Sequence, residues 1–253
     1  MSHPELSGRA AFITGAGRGI GAAYARALAR QGVAIAIGEI DMTAAEEVAH
    51  EITLEGGTVL PLLCDVAREA SVNTAIADAA SRLGRLDILI NNAALHLRTY
   101  NQPCTKLADE EWRRMMDVNV TGIVTCTRAA RQQLAKSGAG VVINQSSIAS
   151  EQLDTAYAIS KLAVRGLTVA LARELASDNI RVCGIAPGLI ATDQLKAEMP
   201  ASLIEDFRDT RQLIRKVAGP EDLAGTLLFL CSNAAQFITG ETIIVAGGYM
   251  PRA

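Results

Sequence analysis

The chain has 253 residues, of which 49% are hydrophobic and 20% are charged, and its formal net charge is −3 at pH 7. This is the composition of an ordinary globular protein, and the slightly acidic balance offers no basic footprint for the phosphate backbone of nucleic acid or for an anionic membrane. We therefore expect neither nucleic acid nor a membrane among its partners.

The cysteine and histidine residues indicate neither disulfides nor a metal site. Five cysteines are scattered without a C-x-x-C pair, and their odd number does not indicate a disulfide framework, so we interpret them as reduced thiols of a cytoplasmic protein. The three histidines lie far apart and lack ligand spacing, so no metal is expected. The first residues contain no basic segment followed by an apolar run, so no secretory signal is predicted.

Short apolar runs alternate with longer segments of helical period along most of the chain. The predicted strands are Ala10–Thr14, Val33–Gly38, Thr58–Cys64, Leu86–Ile90, Val141–Gln145, Ile180–Ile185 and Thr242–Val245. The predicted helices are Gly19–Arg30, Thr43–Leu54, Glu69–Leu83, Asp109–Leu134, Thr155–Ala176 and Pro220–Cys231. This alternation predicts an α/β protein with a doubly wound, parallel, seven-stranded sheet, whose apolar strands are buried on both faces.

No repeat, low-complexity tract or Pro/Gly-rich linker interrupts the alternation, so we predict a single domain over residues 1–253. The segment 191–216 is an exception, because it is charged and helical in period where the alternation predicts a short link. Two interpretations remain open for it: a lid over a site, or a helical excursion on the surface.

A glycine-rich loop follows the first predicted strand and opens the first predicted helix. Residues 14–21 read Thr-Gly-Ala-Gly-Arg-Gly-Ile-Gly, a context in which glycines let the backbone approach a pyrophosphate at a helix N-terminus. The loop residues that would bind the cofactor are Gly15, Arg18, Gly19, Ile20 and Gly21.

An acidic residue, Glu39, follows Gly21 by 18 residues at the end of the second predicted strand. Its carboxylate would accept hydrogen bonds from the adenosine ribose, and it would repel a 2′-phosphate by roughly 3 kcal/mol at about 5 Å and an effective dielectric near 20. NAD is therefore favoured over NADP. Arg18 points the other way, because a guanidinium in the loop would suit a 2′-phosphate, and a solvated strand end is the alternative interpretation of Glu39.

Two serines, Ser146 and Ser147, end a predicted strand, and Tyr157 and Lys161 follow at the start of a long helix. Tyr157 and Lys161 are one turn apart and share a helical face. A nearby ammonium lowers the pKa of a tyrosine, which would help it act as a base near neutral pH. A tyrosine and a lysine at this spacing are common by themselves, and often form only a surface pair.

Several further motifs stand in a defined order with these. In chain order the set is Thr14-Gly15, Gly19 and Gly21; Asp65-Val66; Asn91-Asn92-Ala93; Asn119; Ser147; Tyr157 and Lys161; and Pro187-Gly188-Leu189-Ile190-Ala191-Thr192. In this combination the sequence resembles the short-chain dehydrogenase/reductase family, from roughly Leu6 to Gly248. The resemblance implies a Rossmann-like fold and a nicotinamide cofactor.

The resemblance also implies catalytic roles. Tyr157 would exchange a proton with the substrate oxygen, and Ser147, the second serine of the pair, would hydrogen-bond that oxygen; Ser146 is the alternative. Lys161 would lower the pKa of Tyr157 and hold the nicotinamide ribose, while Asn119 would anchor a water between Lys161 and solvent.

For the cofactor, the resemblance places Asp65 and Val66 at the adenine and Asn91 and Ala93 along the dinucleotide. Pro187, Gly188, Ile190 and Thr192 would surround the nicotinamide, with Ile190 and Thr192 at its carboxamide.

The sequence departs from the family pattern around the substrate. Ser147 and Tyr157 are only 10 residues apart, whereas 12 or 13 is usual, and the segment Ala94–Trp112 looks about three residues longer than usual. The longer loop is expected to fill the space that the shorter one leaves. Candidate wall residues are His96, Arg98, Tyr100, Pro103, Leu153, Leu195, Met199 and Met250.

These observations predict an NAD-dependent oxidoreductase that interconverts a secondary alcohol and a ketone. The alternatives are an NADPH-dependent ketoreductase similar to 3-oxoacyl reductases and a catalytically silent dinucleotide sensor. The helix Thr155–Ala176 is apolar over more of its circumference than one sheet contact needs, and with the resemblance this predicts a homotetramer, with Thr242–Val245 at a second interface.

Overall fold

A computed structural model describes residues 3–96 and 99–249. Seven parallel strands form one sheet in the order β3-β2-β1-β4-β5-β6-β7. The strands are β1 (Ala10–Thr14), β2 (Ala34–Glu39), β3 (Val59–Leu63), β4 (Ile88–Asn91), β5 (Gly140–Gln145), β6 (Ile180–Pro187) and β7 (Thr242–Val245). The helices are α1 (Gly19–Ala29), α2 (Met42–Leu54), α3 (Glu69–Leu83), α4 (Asp109–Met116), α5 (Gly122–Lys136), α6 (Ala149–Gln152), α7 (Ala156–Leu175), α8 (Asp193–Glu198), α9 (Ala201–Asp206) and α10 (Ala224–Cys231).

The strand order makes the sheet doubly wound, as the sequence pattern predicts. The chain winds outward from β1 to β3 and then returns to add β4 on the other side of β1, so the winding direction changes between β1 and β4. In such sheets the loops diverge at the carboxyl ends of the strands and leave a crevice for a ligand. The glycine loop and β4 both end at this crevice.

Two hydrophobic layers enclose the sheet. Residues of α1, α2 and α10 pack on one face, and residues of α3, α5 and α7 pack on the other. Because both faces are covered, the inner strands β1, β4, β5 and most of β6 are buried along their length.

The outermost strands differ from the prediction that every strand is buried on both faces. β3 alternates between buried and accessible positions, and Leu63 is 63% exposed, because this strand pairs only with β2. Pro61 lies in the middle of β3, where an edge strand tolerates a missing N–H. β7 at the opposite edge is half-buried throughout.

The predicted helix Asp109–Leu134 is interrupted. A wider π turn at Asp117–Thr121 separates α4 from α5, and it contains Asn119. The segment 191–216 contains α8 and α9, followed by a second π turn at Phe207–Arg211. Among the described helices, none combines the length and the apolar character needed to cross a membrane.

Candidate active site

The glycine loop between β1 and α1 leaves no room for a side chain at two of its glycines. Gly15 has a φ of 64°, and a Cβ atom there would lie 2.8 Å from the Cα atom of Ala93. A Cβ atom on Gly21 would collide with the carbonyl oxygen of Gly15. The loop thus leaves an open cradle of backbone at the N-terminus of α1, which fits the pyrophosphate of a dinucleotide.

Asn92 fixes this loop, a role that the sequence analysis did not assign. Its Nδ2 donates to the carbonyl oxygens of Thr14 at 3.1 Å and Gly15 at 2.8 Å, and the backbone N–H groups of Asn92 and Ala93 each donate to Thr14 Oγ1 at 3.0 Å. The neighbouring Asn91 turns its amide the other way, into the interior, where Nδ2 donates to Asn144 Oδ1 at 2.9 Å. The Asn91 side chain therefore does not face the cradle.

Glu39 is 9% exposed and its carboxylate supports the loop. Oε2 accepts from the Gly17 N–H at 3.0 Å, and Oε1 accepts from the Ile40 N–H at 2.9 Å. Arg18, which the sequence analysis considered as a partner for a 2′-phosphate, forms an ion pair with Asp41 instead. The guanidinium of Arg18 is thus paired with an acidic residue two positions after Glu39.

Asp65 and Val66 lie just beyond β3, on the side of Glu39 away from the glycine loop. Asp65 Oδ1 accepts from the Ala67 N–H at 3.0 Å, which shapes the turn. Val66 packs on Gly122, where an added Cβ would lie 3.1 Å from it. The adenine position expected from the resemblance therefore lies at the outer end of the same crevice.

Ser147, Tyr157 and Lys161 meet at the carboxyl edge of β5. The Ser147 hydroxyl acts on the Tyr157 hydroxyl and lowers its pKa, and Lys161 Nζ lies 5.7 Å from the centroid of the Tyr157 ring. Ser146 turns away, because its hydroxyl donates to the Lys161 carbonyl oxygen at 3.0 Å. Of the two serines, the structure brings Ser147 to Tyr157.

The pKa values in this group are dominated by burial. Burial raises the pKa of Tyr157 to about 12, against an opposing effect of the hydrogen bond from Ser147. Burial also lowers the pKa of Lys161 to about 7. In the protein alone, desolvation of the phenolate is the largest influence on the Tyr157 pKa, and the expected lowering by Lys161 stays a prediction.

Asn119 is fully buried in the π turn beside this group. Its Oδ1 accepts from the Leu95 N–H at 2.7 Å, and its Nδ2 donates to the Leu95 carbonyl at 2.9 Å and to Ser160 Oγ at 3.1 Å. These bonds occupy the amide, so the expected water would have to bind the main chain of this turn. Lys161 Nζ donates to the Gln145 carbonyl at 2.8 Å.

The residues after β6 form the far wall of the crevice. The Gly188 N–H donates to the Val245 carbonyl at 3.0 Å, and the Pro187 carbonyl accepts from the Ile148 N–H at 2.8 Å. The backbone of Pro187 and Gly188 is therefore held by β7 and by the loop that follows Ser147. Ile190 is buried and pairs with Ala218. Thr192 caps α8 and reaches the glycine loop, because a Cβ on Gly19 would lie 3.3 Å from Thr192 Cγ2.

The candidate substrate residues lie on three segments. His96 follows β4, and burial together with the charge of Lys161 lowers its pKa. Leu153 is 45% exposed after α6, while Leu195 and Met199 are half-buried on and after α8. Arg98 and Met250 lie outside the described residues.

The long and the short loop contact each other directly. The Tyr157 N–H donates to the Tyr100 carbonyl at 3.1 Å, and the Ala156 N–H donates to the Gln102 carbonyl at 2.9 Å. Tyr100 is buried, and its hydroxyl donates to Glu111 at 2.6 Å. The segment from Tyr100 to Gln102 therefore seats the first residues of α7.

Comparison with known proteins identifies the family. A family model described as enoyl-(acyl carrier protein) reductase matches residues 15–250. The 7α-hydroxysteroid dehydrogenase of Escherichia coli K12 is 36% identical over 248 residues, covering 96% of this chain and 95% of that protein. The chain belongs to the short-chain dehydrogenase/reductase family. It is therefore an oxidoreductase, as its sequence predicts.

Solved structures of this short-chain dehydrogenase/reductase family agree along nearly the whole chain. A 7α-hydroxysteroid dehydrogenase in complex with NADH and 7-oxoglycochenodeoxycholic acid has a TM-score of 0.90 at 35% identity and covers 96% of this chain and 95% of its own. L-Sorbose reductase from Gluconobacter frateurii, in complex with NADPH and L-sorbose, has a TM-score of 0.90 at 30% identity over 98% of both chains. The chain is also 38% identical to an uncharacterized oxidoreductase of Mycobacterium tuberculosis over 245 residues, 97% of this chain and 98% of that protein.

Proposed function

We propose that this short-chain dehydrogenase/reductase uses NAD to interconvert a secondary alcohol and a ketone, with Tyr157 as the acid/base. The observation that carries the proposal is the meeting of Tyr157, Ser147 and Lys161 at the carboxyl edge of β5, beside the glycine cradle. When bound, the nicotinamide cofactor supplies or takes up the hydride.

The proton chemistry follows from the protonation states of these groups. With a pKa of about 12, the Tyr157 hydroxyl carries a proton at neutral pH and donates it to the oxygen of a ketone as that oxygen gains charge. The Ser147 hydroxyl donates a second hydrogen bond to the same oxygen. In the oxidative direction Tyr157 must lose its proton first, which requires positive charge nearby; Lys161 carries that charge when it is protonated.

Several residues would hold the cofactor. The backbone of Gly15, Gly19 and Gly21 with Ile20 receives the pyrophosphate, and Lys161 binds the nicotinamide ribose. Asp65 and Val66 border the adenine, and Ala93 borders the ribose beyond the loop. Pro187, Gly188, Ile190 and Thr192 enclose the nicotinamide.

The preference for NAD rests on the charges around the adenosine ribose. The carboxylates of Glu39 and Asp41 both lie beside the loop, and Asp41 pairs with the guanidinium of Arg18 that would otherwise attract a 2′-phosphate. One relative binds NADPH, so an NADPH-dependent ketoreductase is the second candidate. Rates with NADH and NADPH separate the two.

We propose a secondary hydroxyl or a ketone as the reacting group of the substrate. The relatives named above act on a hydroxysteroid and on L-sorbose, and a third, 36% identical over 247 residues, is named cis-4-hydroxycyclohexanecarboxylate dehydrogenase. His96, Leu153, Leu195 and Met199 would form the substrate wall.

The arrangement within and between chains is also part of the proposal. The chain acts as one domain, with residues 191–216 as a lid over the crevice, and it assembles as a homotetramer through α7 and β7. The free state of all five cysteines, four of them buried, supports a reducing, cytoplasmic setting.

The catalytic proposal is tested by removing one hydroxyl at a time, after a panel of alcohols and ketones has identified a substrate by nicotinamide absorbance. Tyr157→Phe should fold and bind NADH but lose at least about a hundredfold in kcat, because only the transferable proton is gone. Ser147→Ala should lose less, and Ser146→Ala is the matched control with near-normal turnover. If Tyr157→Phe retains a tenth of wild-type kcat, Tyr157 is not the acid/base. If the wild type binds NADH but converts no compound in the panel, the result favours the alternative of a catalytically silent dinucleotide sensor.

A further inference from the structure

A pair of buried polar side chains joins the cofactor helix α1 to the catalytic strand β5. The Tyr24 hydroxyl, on α1, donates to Oε1 of Gln145, the last residue of β5, at 2.9 Å. Tyr24 is fully buried, and Gln145 is 6% exposed. The pair lies on the same face of the sheet as the isoleucines of the α1 layer.

Stability alone gives little reason for such a pair. A buried hydrogen bond between neutral groups contributes modestly, and replacing both partners by apolar groups of similar shape is often neutral or stabilising. Sites where a sequence departs from the apolar pattern of its core are frequently functional. Tyr24 and Gln145 are 121 residues apart, and they connect two elements of the candidate active site.

The hydrogen bond fixes the direction of the Gln145 amide. Burial raises the pKa of the Tyr24 hydroxyl, so it keeps its proton, and Gln145 Oε1 is the acceptor of that proton. Nε2 must then point to the other side of the amide. Nε2 has no hydrogen-bond partner in the described part of the chain. In that part, every fully buried side-chain nitrogen or oxygen has a partner, so Nε2 is not fully buried and reaches open space.

The position of Gln145 on β5 indicates that this space belongs to the crevice. Asn144 faces α7, where its Nδ2 donates to Thr168 Oγ1, so the next residue, Gln145, lies on the opposite face, toward α1. Gln145 ends β5 at the carboxyl edge, and its own carbonyl oxygen holds Lys161 Nζ at 2.8 Å. The two free N–H groups therefore lie between the glycine loop and Lys161, where the nicotinamide riboside of a dinucleotide would bind.

We propose that Gln145 is a further cofactor-binding residue, whose Nε2 donates to an oxygen of the nicotinamide riboside, and that Tyr24 is a positioning residue that holds the amide in this orientation. This inference rests on the proposed function, because it takes a nicotinamide dinucleotide as the ligand.

The test compares two ligands by titration calorimetry on the full chain. NADH contains the nicotinamide riboside, whereas ADP shares only the adenosine and the two phosphates. Gln145→Leu should weaken NADH by about tenfold and leave ADP within about twofold, the effect of losing one or two hydrogen bonds. Tyr24→Phe should weaken NADH by about threefold, because the amide stays but is no longer held.

The double variant Tyr24→Phe/Gln145→Leu distinguishes function from structure. It leaves no buried polar group unpaired, so it should melt no lower than the wild type and yet show the same loss for NADH as Gln145→Leu alone. If the losses of NADH affinity in the two single variants add up in the double variant, the positioning role of Tyr24 is contradicted. Unchanged NADH affinity in the double variant, or equal weakening of NADH and ADP, overturns the role of Gln145. A wild type that binds neither ligand overturns the proposed function itself.

Discussion

At the residue scale, the proposed chemistry depends on a lysine that the fold keeps out of water. Lys161 Nζ is buried and donates to a single described partner, the Gln145 carbonyl, with no carboxylate bonded to it. A backbone carbonyl compensates only part of the cost of burying an ammonium. The pKa of about 7 follows from this cost, and it lets Lys161 exchange a proton near neutral pH.

This lowered pKa predicts a stability that rises with pH. Between pH 7 and 9 the unfolded chain keeps the Lys161 proton, since its ordinary pKa is 10.5, while the folded chain loses it. Relative to Lys161→Met, the free energy of unfolding of the wild type should therefore increase by about 2 kcal/mol over this range. Urea unfolding of both proteins at a series of pH values measures it. A constant difference between them would mean that Lys161 stays charged when buried.

A second residue-scale prediction concerns the choice of cofactor. Asp41→Asn removes the charge that pairs with Arg18 but keeps Oδ1, which caps α2 by accepting from the Ala44 N–H at 3.2 Å. Loss of one carboxylate charge near a 2′-phosphate is worth about 1 kcal/mol, so kcat/KM for NADPH should rise about fivefold with little change for NADH. Asp178→Asn, which breaks a half-buried pair with Arg131 far from the glycine loop, is the matched control. An unchanged ratio of the two cofactors would leave Glu39 as the sole determinant.

Some of these residues were predictable from sequence and others were not. Tyr157, Lys161 and Ser147 stand in a recognisable order, and the structure brings them together. Asn92 stands in the same order of motifs, but the order does not assign its side chain to the glycine loop. Tyr24 and Gln145 carry no such signal, because each acts through a partner on a distant strand or helix. The direction of an amide, as in Asn91 against Asn92, depends on neighbours that only the folded chain supplies.

At the scale of elements, the segment 191–216 is held at both ends and open between them. The Ala191 N–H donates to the Ala218 carbonyl at 2.8 Å, and the N–H groups of Leu213 and Ile214 donate to the Gly247 carbonyl at 2.8 and 2.9 Å. Most residues of α8 and α9 are exposed. This arrangement suits the lid proposed above, a flap that closes over a bound ligand.

Limited proteolysis tests the flap. Trypsin should cut the free protein at exposed Lys196, Arg211 or Arg215, and saturating NADH should slow these cuts by about tenfold, because a closed segment opens less often. Cuts at exposed Lys136, at the end of α5, serve as the internal control. Equal protection at all sites would indicate global stabilisation instead of closure.

The periodicity predicts most elements to within a few residues, but not the breaks inside them. The pattern across 109–134 is helical throughout, so it predicts one helix. The π turn at Asp117–Thr121 inserts a wider turn without disturbing the apolar face enough to be detected. Burial at the sheet edges was also missed, because β3 and β7 are as apolar in sequence as inner strands.

At the scale of the whole molecule, one face of α7 remains uncovered. Leu162, Gly166 and Val169 recur at helical spacing; Leu162 and Val169 are both 41% exposed, and a Cβ on Gly166 would meet nothing within 4 Å. Phe237, shortly before the edge strand β7, is fully exposed. These two surfaces are where the proposed tetramer would form.

Light scattering should therefore give a mass close to four copies of the 26.7-kDa chain at micromolar concentration. Val169→Arg places an unpaired charge in the α7 contact and should give a smaller species. Leu54→Arg, which changes a more exposed leucine at the end of α2, should leave the mass unchanged. A monomeric wild type, or a tetrameric Val169→Arg, would contradict assembly through α7.

The order in which the chain is synthesised adds a constraint to the contacts at the end of the sheet. The Val245 carbonyl accepts from the Gly188 N–H, and the Gly247 carbonyl accepts from the N–H groups of Leu213 and Ile214, which anchor the flap. Val245 and Gly247 are translated some sixty residues after β6 begins. The glycine loop and β5, the strand that leads to Ser147, emerge from the ribosome long before these two residues. A nascent chain can therefore form the glycine loop early. The hydrogen bonds that hold the flap to Gly247 can form only after β7 has been translated and has paired with β6.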